Sequence, residues 1–364
     1  MNYLLLFSRW VVGLLFIFSG WVKLNDPVGF SFKLEEYFSP SVLDITFLVP
    51  SALALALVLV VVEVLLGVAL LIGFAPKWTL YSLTGMIVFF TFLTFYSAYF
   101  NKVTDCGCFG DALPLTPWQS FYKDVVLCVL IGFLWLGQSK LVVFSTNTTR
   151  ITLMLLSLSG ALYYGYYVLN HLPLVDFRAY KIGTHVPSAM EIPEDAPQAI
   201  YAYEWFFTHE GKTFSVTTDK AYPQVEGTFV RVETRMVQPG YEPPIHDFSM
   251  EKDGLDYTQE LLSQERLLLV VVYDLRKTDW SFKDDLIHIA KHAQELGYTV
   301  VGLSASDSSL WEENKPPTGW PFSLYFSDQT TLKTIIRANP GLVVLHRGTI
   351  VDKKHINDIN YLAL

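Results

Sequence analysis

Two of the chain's three cysteines stand one residue apart, in Asp105-Cys106-Gly107-Cys108-Phe109-Gly110. Cysteines at that spacing could close a small, strained ring. A strained disulfide is easier to reduce than a relaxed one, so the pair points to thiol–disulfide exchange. Gly107 supplies the backbone freedom that such a ring needs. Lys102, just upstream, and Lys23, on the same face, are the cations that would favour a thiolate. The pair also reads as a staple across a loop, or as two idle thiols beside a tight turn. A metal would need more than two ligands, and no histidine lies near in sequence. Cys128, inside an apolar run, reads as a small apolar filler.

A second group is electrostatic. Arg9 and Glu63 each interrupt an apolar run, and a charge at membrane depth is costly unless it is paired or faces a cavity. Counted from one face, Arg9 lies about two turns in and Glu63 about three. Their side chains are therefore expected to meet as an ion pair between the first two spans. The functional reading of this polar site, with Lys23, is a quinone pocket or a proton path. His209 and His246 have no nucleophile near them in sequence and read as solvated or capping histidines.

The elements that must position these residues are membrane helices. The 364 residues are 51% hydrophobic and only 17% charged, a balance that suits a membrane protein. Apolar runs cover residues 3–22, 46–74, 78–100, 119–136 and 151–169, each about long enough to cross a ~30 Å hydrocarbon core. The first has no small-residue cleavage site behind it and reads as an uncleaved span. Asn25-Asp26-Pro27 ends it. Residues 30–38 are too short and too charged to span and read as an interfacial helix. With five spans, the 1–2 loop, the Cys-Gly-Cys loop and everything after residue 171 share one face. Short loops around Lys77 and Lys140 lean the other face toward the cytoplasm. The thiols and the C-terminal part would then face an oxidising, periplasmic compartment outside a bacterial inner membrane.

Residues 172–364 carry 18 of the 26 Lys and Arg but 27 of the 35 Asp and Glu, so the whole net charge of −9 lies there and nucleic acid is excluded as a partner. Residues 172–240 read as a small β-rich connector, with a hairpin across His209-Glu210-Gly211-Lys212 and an alternating strand at GTFVRVETRMV. From residue 241 the order is α/β. Strands are expected over 267–273, 298–304 and 323–326, helices over 281–296 and 328–336, and a hairpin across Arg347-Gly348.

Two stretches resemble known families. Residues 1–140 resemble the DoxX-like membrane bundles, and more closely the branch containing the methylamine-utilisation protein MauE. The matching stretches are Arg9 with FSGWVKLNDPVGF (18–30), Glu63 with Gly67, and DCGCFGD (105–111). Residues from about 244 resemble thioredoxin-like domains of the TlpA type, through Pro244–Ser249 and YFSDQTTLKTIIRANPGLVVLHRGTIVDK (325–353). Pro340 falls at that family's cis-proline. The turn that holds Cys-Xaa-Xaa-Cys in a thioredoxin reads Arg276-Lys277-Thr278-Asp279-Trp280-Ser281 here, and no cysteine follows residue 128. The fold can survive that loss; dithiol exchange by this domain cannot. The whole arrangement resembles DoxX-like proteins of Bacteroidota.

The expected architecture is therefore an all-α membrane bundle of about five spans followed by a soluble α/β thioredoxin-like domain. Its units are a four-helix domain at 1–140, a fifth helix at 148–171, the connector at 172–240 and the thioredoxin-like domain at 241–364. The resemblances imply a membrane thiol–disulfide oxidoreductase of the envelope, or a maturation factor for a secreted redox enzyme. Cys106 and Cys108 would be its redox pair, Lys102 their neighbour, and a quinone the cofactor of the bundle. The soluble domain would bind an envelope protein or peptide in a partner groove at Pro340 and Trp280. The alternative is a non-enzymatic anchored assembly factor.

Overall fold

The computed structural model is described for residues 3–103, 107, 109–141, 143, 145–219, 221–238, 240–306, 308–313 and 319–364. Cys106 and Cys108 lie outside the described residues. Among the described residues, five helical segments are long and apolar enough to cross a membrane: Tyr3–Asn25, Thr46–Ile72, Pro76–Phe100, Pro117–Leu136 and Asn147–Asn170. They contain helices α1 (Tyr3–Asn25), α3 (Ala52–Ile72), α4 (Pro76–Phe100), α5 (Pro117–Leu136) and α6 (Asn147–Asn170), with the short α2 (Pro27–Phe38) after the first.

Local chemistry sets the ends. Pro27 does more than stop α1, because it opens α2 as a first-turn proline, with the Asp26 carboxylate accepting from Gly29 N. Gly73 closes α3 in the left-handed conformation, φ 70°. Thr116 and Gln119 form a reciprocal capping box at the start of α5. The α2 helix is docked more firmly than an interfacial helix need be, burying Leu34, Tyr37 and Phe38 in one bundle core with Ala56 and Val60 of α3.

Small residues bring α1 and α3 together, as close backbone approach in a bilayer requires. The helices run antiparallel, Gly13 against Gly67 and Gly20 against Val60 and Val64. A Cβ on Gly67 would stand 2.7 Å from the Gly13 carbonyl oxygen and 2.9 Å from Ile17 N, both backbone atoms. On the other side, α4 and α5 are tied by polar contacts: Trp135 Nε1 donates to Thr84 Oγ1 at 2.9 Å, and Thr94 Oγ1 to Asp124 Oδ2 at 3.1 Å.

The sheet-rich part begins with the short α7 (Val186–Met190), then β1 (Ile200–His209), β2 (Lys212–Thr218) and β3 (Thr228–Gln238). These strands make a separate three-stranded sheet of order β2-β1-β3. There follow β4 (Glu251–Lys252), β5 (Leu255–Asp256), α8 (Thr258–Leu262), β6 (Leu267–Val271), α9 (Lys283–Glu295), β7 (Thr299–Ser304), α10 (Ser308–Glu313), β8 (Ser323–Phe326), α11 (Gln329–Ile335), β9 (Gly341–His346) and β10 (Thr349–His355). The seven-stranded sheet has the order β10-β9-β6-β7-β8-β4-β5, with β6, β7 and β8 parallel and β9 antiparallel to β6. The interior strand β6 is buried throughout, as a strand covered on both faces must be. Alternate residues feed two cores: Leu267, Leu269 and Val271 on one face, Leu268 and Val270 on the other.

The stretch expected as a uniform connector is divided. Residues 178–190 belong to the α/β unit: Val186 and Tyr180 are buried in its core, and Val186 N donates to Gly348 O at 2.8 Å. Only the three-stranded sheet stands apart from it. The Asn339–Pro340 peptide is cis, at the position where the sequence led us to expect it.

Candidate functional site at the bundle junction

The chain brings four polar pieces to one end of the bundle: the α1–α2 corner, the loop after α4, the segment after α6, and the loop between α11 and β9. Two voids mark the place. Inside the bundle, a void of about 20 Å³ lies among Ser19, Lys23, Glu63, Phe109, Lys123, Asp124 and Leu127. That is room for a single water. At the junction, a cavity of about 80 Å³ is walled by Lys23, Asp26, Lys33, Gly107, Arg178 and Arg337, among others. Lys23 borders both.

Glu63 is paired, but with Lys23 and in a different way from that expected. The Lys23 ammonium donates to both Glu63 carboxylate oxygens, at 2.7 and 3.0 Å, with both side chains buried. It also lies 4.6 Å from the centre of the Phe90 ring. Arg9 donates instead to the α3 carbonyls of Leu70 and Leu71, at 2.8 and 2.9 Å. The antiparallel register explains the exchange. Gly13 lies level with Gly67 and Gly20 with Val64, so Arg9 falls beside the C-terminal end of α3. There it meets the last carbonyls of a helix and the negative pole of its dipole. Lys23, although close to the end of α1, bends into the bundle to Glu63.

Sequence reasoning missed a second pair, of a buried acid with a partly exposed lysine. Lys123 Nζ lies 2.8 Å from Asp124 Oδ1, and Asp124 is almost wholly buried. Adjacent residues on a helix point in different directions, so Lys-Asp carried no obvious pairing signal. The clue available was an acid in the first turns of an otherwise apolar span. The Ser120 hydroxyl, one turn earlier, is buried with no hydrogen-bond partner among the described residues.

Gly107 and Phe109 belong to the loop after α4. Phe109 is buried, packs at a tilt of 47° against Phe18 with ring centres 5.7 Å apart, and lies under the Lys123 ammonium at 5.1 Å. Gly107, at φ +63°, faces the junction cavity against the Lys33 side chain. The two residues that flank Cys108 in sequence thus line one void each. Lys102 is exposed and borders neither void.

The sheet-rich part closes the junction with its basic tip. Arg337 donates through Nε to Asp26 at 2.8 Å, and its Nη2 lies 3.8 Å from Asp111. Lys333 sits 4.1 Å over the Phe32 ring of α2. Burial lowers the Lys333 ammonium below its ordinary value, against the pull of Glu35. Burial likewise raises the Tyr273 phenol. Asn25 fixes the segment after α6: its amide donates to Val175 O at 2.7 Å and accepts from Tyr164 OH at 2.7 Å. Beside it, Asp176 is shared by Arg178 and Lys353, both at 2.7 Å. Burial opposes the Asp176 charge, but the two cations prevail and hold the carboxyl down to about 2. Burial, with Arg178 next, lowers Lys353 to about 7.

The residues expected at a partner groove are Pro340 and Trp280. Pro340 is buried. Its neighbour Asn339 donates to Asp274 O at 2.8 Å, which ties the two loops together. Trp280 packs with Trp311 and Trp320 on the sheet face that carries Leu268.

Residues 1–137 match the family described as methylamine utilisation protein MauE. The MauE match runs from α1 to the end of α5, so it contains both ion pairs and the whole loop after α4. The remainder, including α6 and both sheets, lies outside it. No curated protein and no solved structure gives a match.

Proposed function

We propose that this is an envelope membrane protein of thiol–disulfide traffic, with Cys106 and Cys108 as its exchanging pair. One observation carries the reading. Gly107 and Phe109, on either side of Cys108, line a polar cavity above and a charged void below, joined by Lys23. A loop placed there has cations beside it to favour a thiolate and a polar route into the bundle for protons. Lys23–Glu63 and Lys123–Asp124 would serve that route, and a quinone would accept the electrons. The C-terminal part is read as thioredoxin-like. Its β6-α9-β7 and α11-β9-β10 order, with cis-Pro340 before β9, supports this. Its role is read as recruiting or positioning the partner, since its turn at 276–281 holds no cysteine and cannot exchange thiols.

Thiol trapping in intact cells tests the proposal. A membrane-impermeant maleimide is applied before and after mild reduction. The expected result is a pair oxidised at rest, readily reduced, and labelled from outside. A pair that stays reduced, or resists reduction until the chain unfolds, refutes it.

A second reading, an anchored assembly factor without redox chemistry, draws on the same missing cysteines. It is favoured if Cys106→Ser with Cys108→Ser leaves function intact.

A further inference from the structure

A groove of about 260 Å³ runs up the outside of the bundle from the α3–α4 turn. Its floor is Leu65, Leu66 and Ala69 of α3, and its walls are Trp78 and Ser82 of α4 and Met154 of α6. Farther along, α3, α4 and α6 join one core through Val60, Leu93 and Ala161, so the groove ends near Val62. Its surface is apolar. The Thr79 hydroxyl in its wall turns back to donate to Phe74 O at 2.6 Å, which leaves Ser82 and the Trp78 indole as the lining side chains able to hydrogen-bond. Trp78 is 76% exposed in the first turn of α4, as an interfacial tryptophan is. From Val62 to Ile72 the helix rises about 15 Å, half of a ~30 Å hydrocarbon core and so the depth of one leaflet.

The mouth of the groove is basic. Arg150, at the start of α6, donates through Nη1 to Gly73 O at 3.1 Å and through Nε to Thr146 O at 3.4 Å. Both acceptors are neutral carbonyls, so they leave its charge without a counter-ion. Lys77, between the lining residues Ala75 and Trp78, is exposed and holds no hydrogen bond or ion pair among the described residues. Lys140 is exposed at the same end of the bundle. No acid of the membrane segments offsets them, because residues 1–25, 64–104 and 125–175 contain no Asp or Glu. We propose that the groove holds one acyl chain of an anionic phospholipid, with the phosphate at its mouth against Lys77 and Arg150. A groove one leaflet deep suits a single chain, and basic residues at the ends of membrane helices draw anionic headgroups. The site needs neither Cys106 nor Cys108, so it stands apart from the redox reading.

The test uses the full chain in a mild detergent. Dioleoyl phosphatidylglycerol and dioleoyl phosphatidylcholine, which share their chains and differ in headgroup charge, are titrated separately. Native mass spectrometry counts the molecules retained. Saturable retention of phosphatidylglycerol is expected, roughly twenty-fold tighter than phosphatidylcholine, from about fivefold for each of the two cations. Lys77→Gln should remove about fivefold of that preference and leave phosphatidylcholine unchanged. Arg150→Gln should do the same. Should it fail to fold, Lys77→Gln decides, since that side chain is exposed and packs on nothing essential to the bundle. Ser82→Phe, from an exposed position in the wall, should narrow the groove and weaken both lipids several-fold. Equal retention of the two lipids, unchanged affinity in Lys77→Gln or in Ser82→Phe, or preferential retention of a neutral isoprenoid quinone overturns the proposal.

Discussion

Removing one partner of the Lys23–Glu63 pair should destabilise the bundle far more than removing both. The ammonium lies at a mean of about 2.9 Å from the two carboxylate oxygens. With an effective dielectric constant of about 20, attraction at that distance is worth about 6 kcal/mol before desolvation. Each charge alone in that place has room for no more than a single water beside it, so Glu63→Gln or Lys23→Met should cost about 3–5 kcal/mol. The double variant Lys23→Met with Glu63→Leu removes both charges and fills the space with apolar atoms, and should cost less than either single change. A double-mutant cycle on purified protein, read by denaturant or thermal unfolding in one detergent, measures the coupling. A coupling below about 1 kcal/mol, or a double variant as unstable as the two single changes summed, refutes the reasoning. It would mean that water reaches the pair and screens it.

Two further outcomes follow from other contacts. Gly67→Ala should force α1 and α3 apart and cost about 1–3 kcal/mol, as overpacking does. Gly132→Ala, where an added Cβ meets nothing within 4 Å, should be near neutral, and unfolding of both variants checks this. Lys353 releases its proton near pH 7 in the fold but near its ordinary 10.5 when unfolded. The unfolded chain therefore holds more protons between those values. Stability should rise with pH across that window by up to about 1.4 kcal/mol per unit. Asp176 works in the acid range, its contribution present above its ordinary 3.8 and lost as pH falls toward about 2. Unfolding measured from pH 6 to 10 should show the upward slope in the wild type and a flatter one in Lys353→Met.

The sequence revealed those parts of the fold that rest on local pattern. The five apolar segments, the shared face of the loop and the C-terminal part, and the strands around β6 all follow from length and periodicity. The pairing of charges did not. Arg9 and Glu63 could be placed by depth from one face, but partner choice depends on how α1 and α3 slide past each other. Gly13, Gly20 and Gly67 set that register by contact. Asp26 was legible as a helix stop, yet its partner Arg337 lies 311 residues away. The Asp176–Arg178–Lys353 cluster joins a segment of no regular structure to the final strand, and no spacing rule reaches across that distance. Burial of Pro340 likewise comes from tertiary closure by Asn339 and Asp274, which its own neighbourhood in the chain does not announce.

The segment between Asn170 and Arg178 is short, and Asn25 holds it at Val175. It therefore acts as a tether. Groups joined by so short a link meet at an effective concentration on the order of millimolar. A contact of about 4 kcal/mol is half-formed at that concentration. The contacts that the link keeps in reach include Arg337 on Asp26 and Asp111, Lys333 over Phe32, and His171 against Asp358 at 2.9 Å. Contacts of this kind, once broken, re-form from a high local concentration rather than from the bulk. A partner competes with a local supply of the chain's own basic tip, so its access is governed by affinity relative to that supply rather than by its bulk concentration alone.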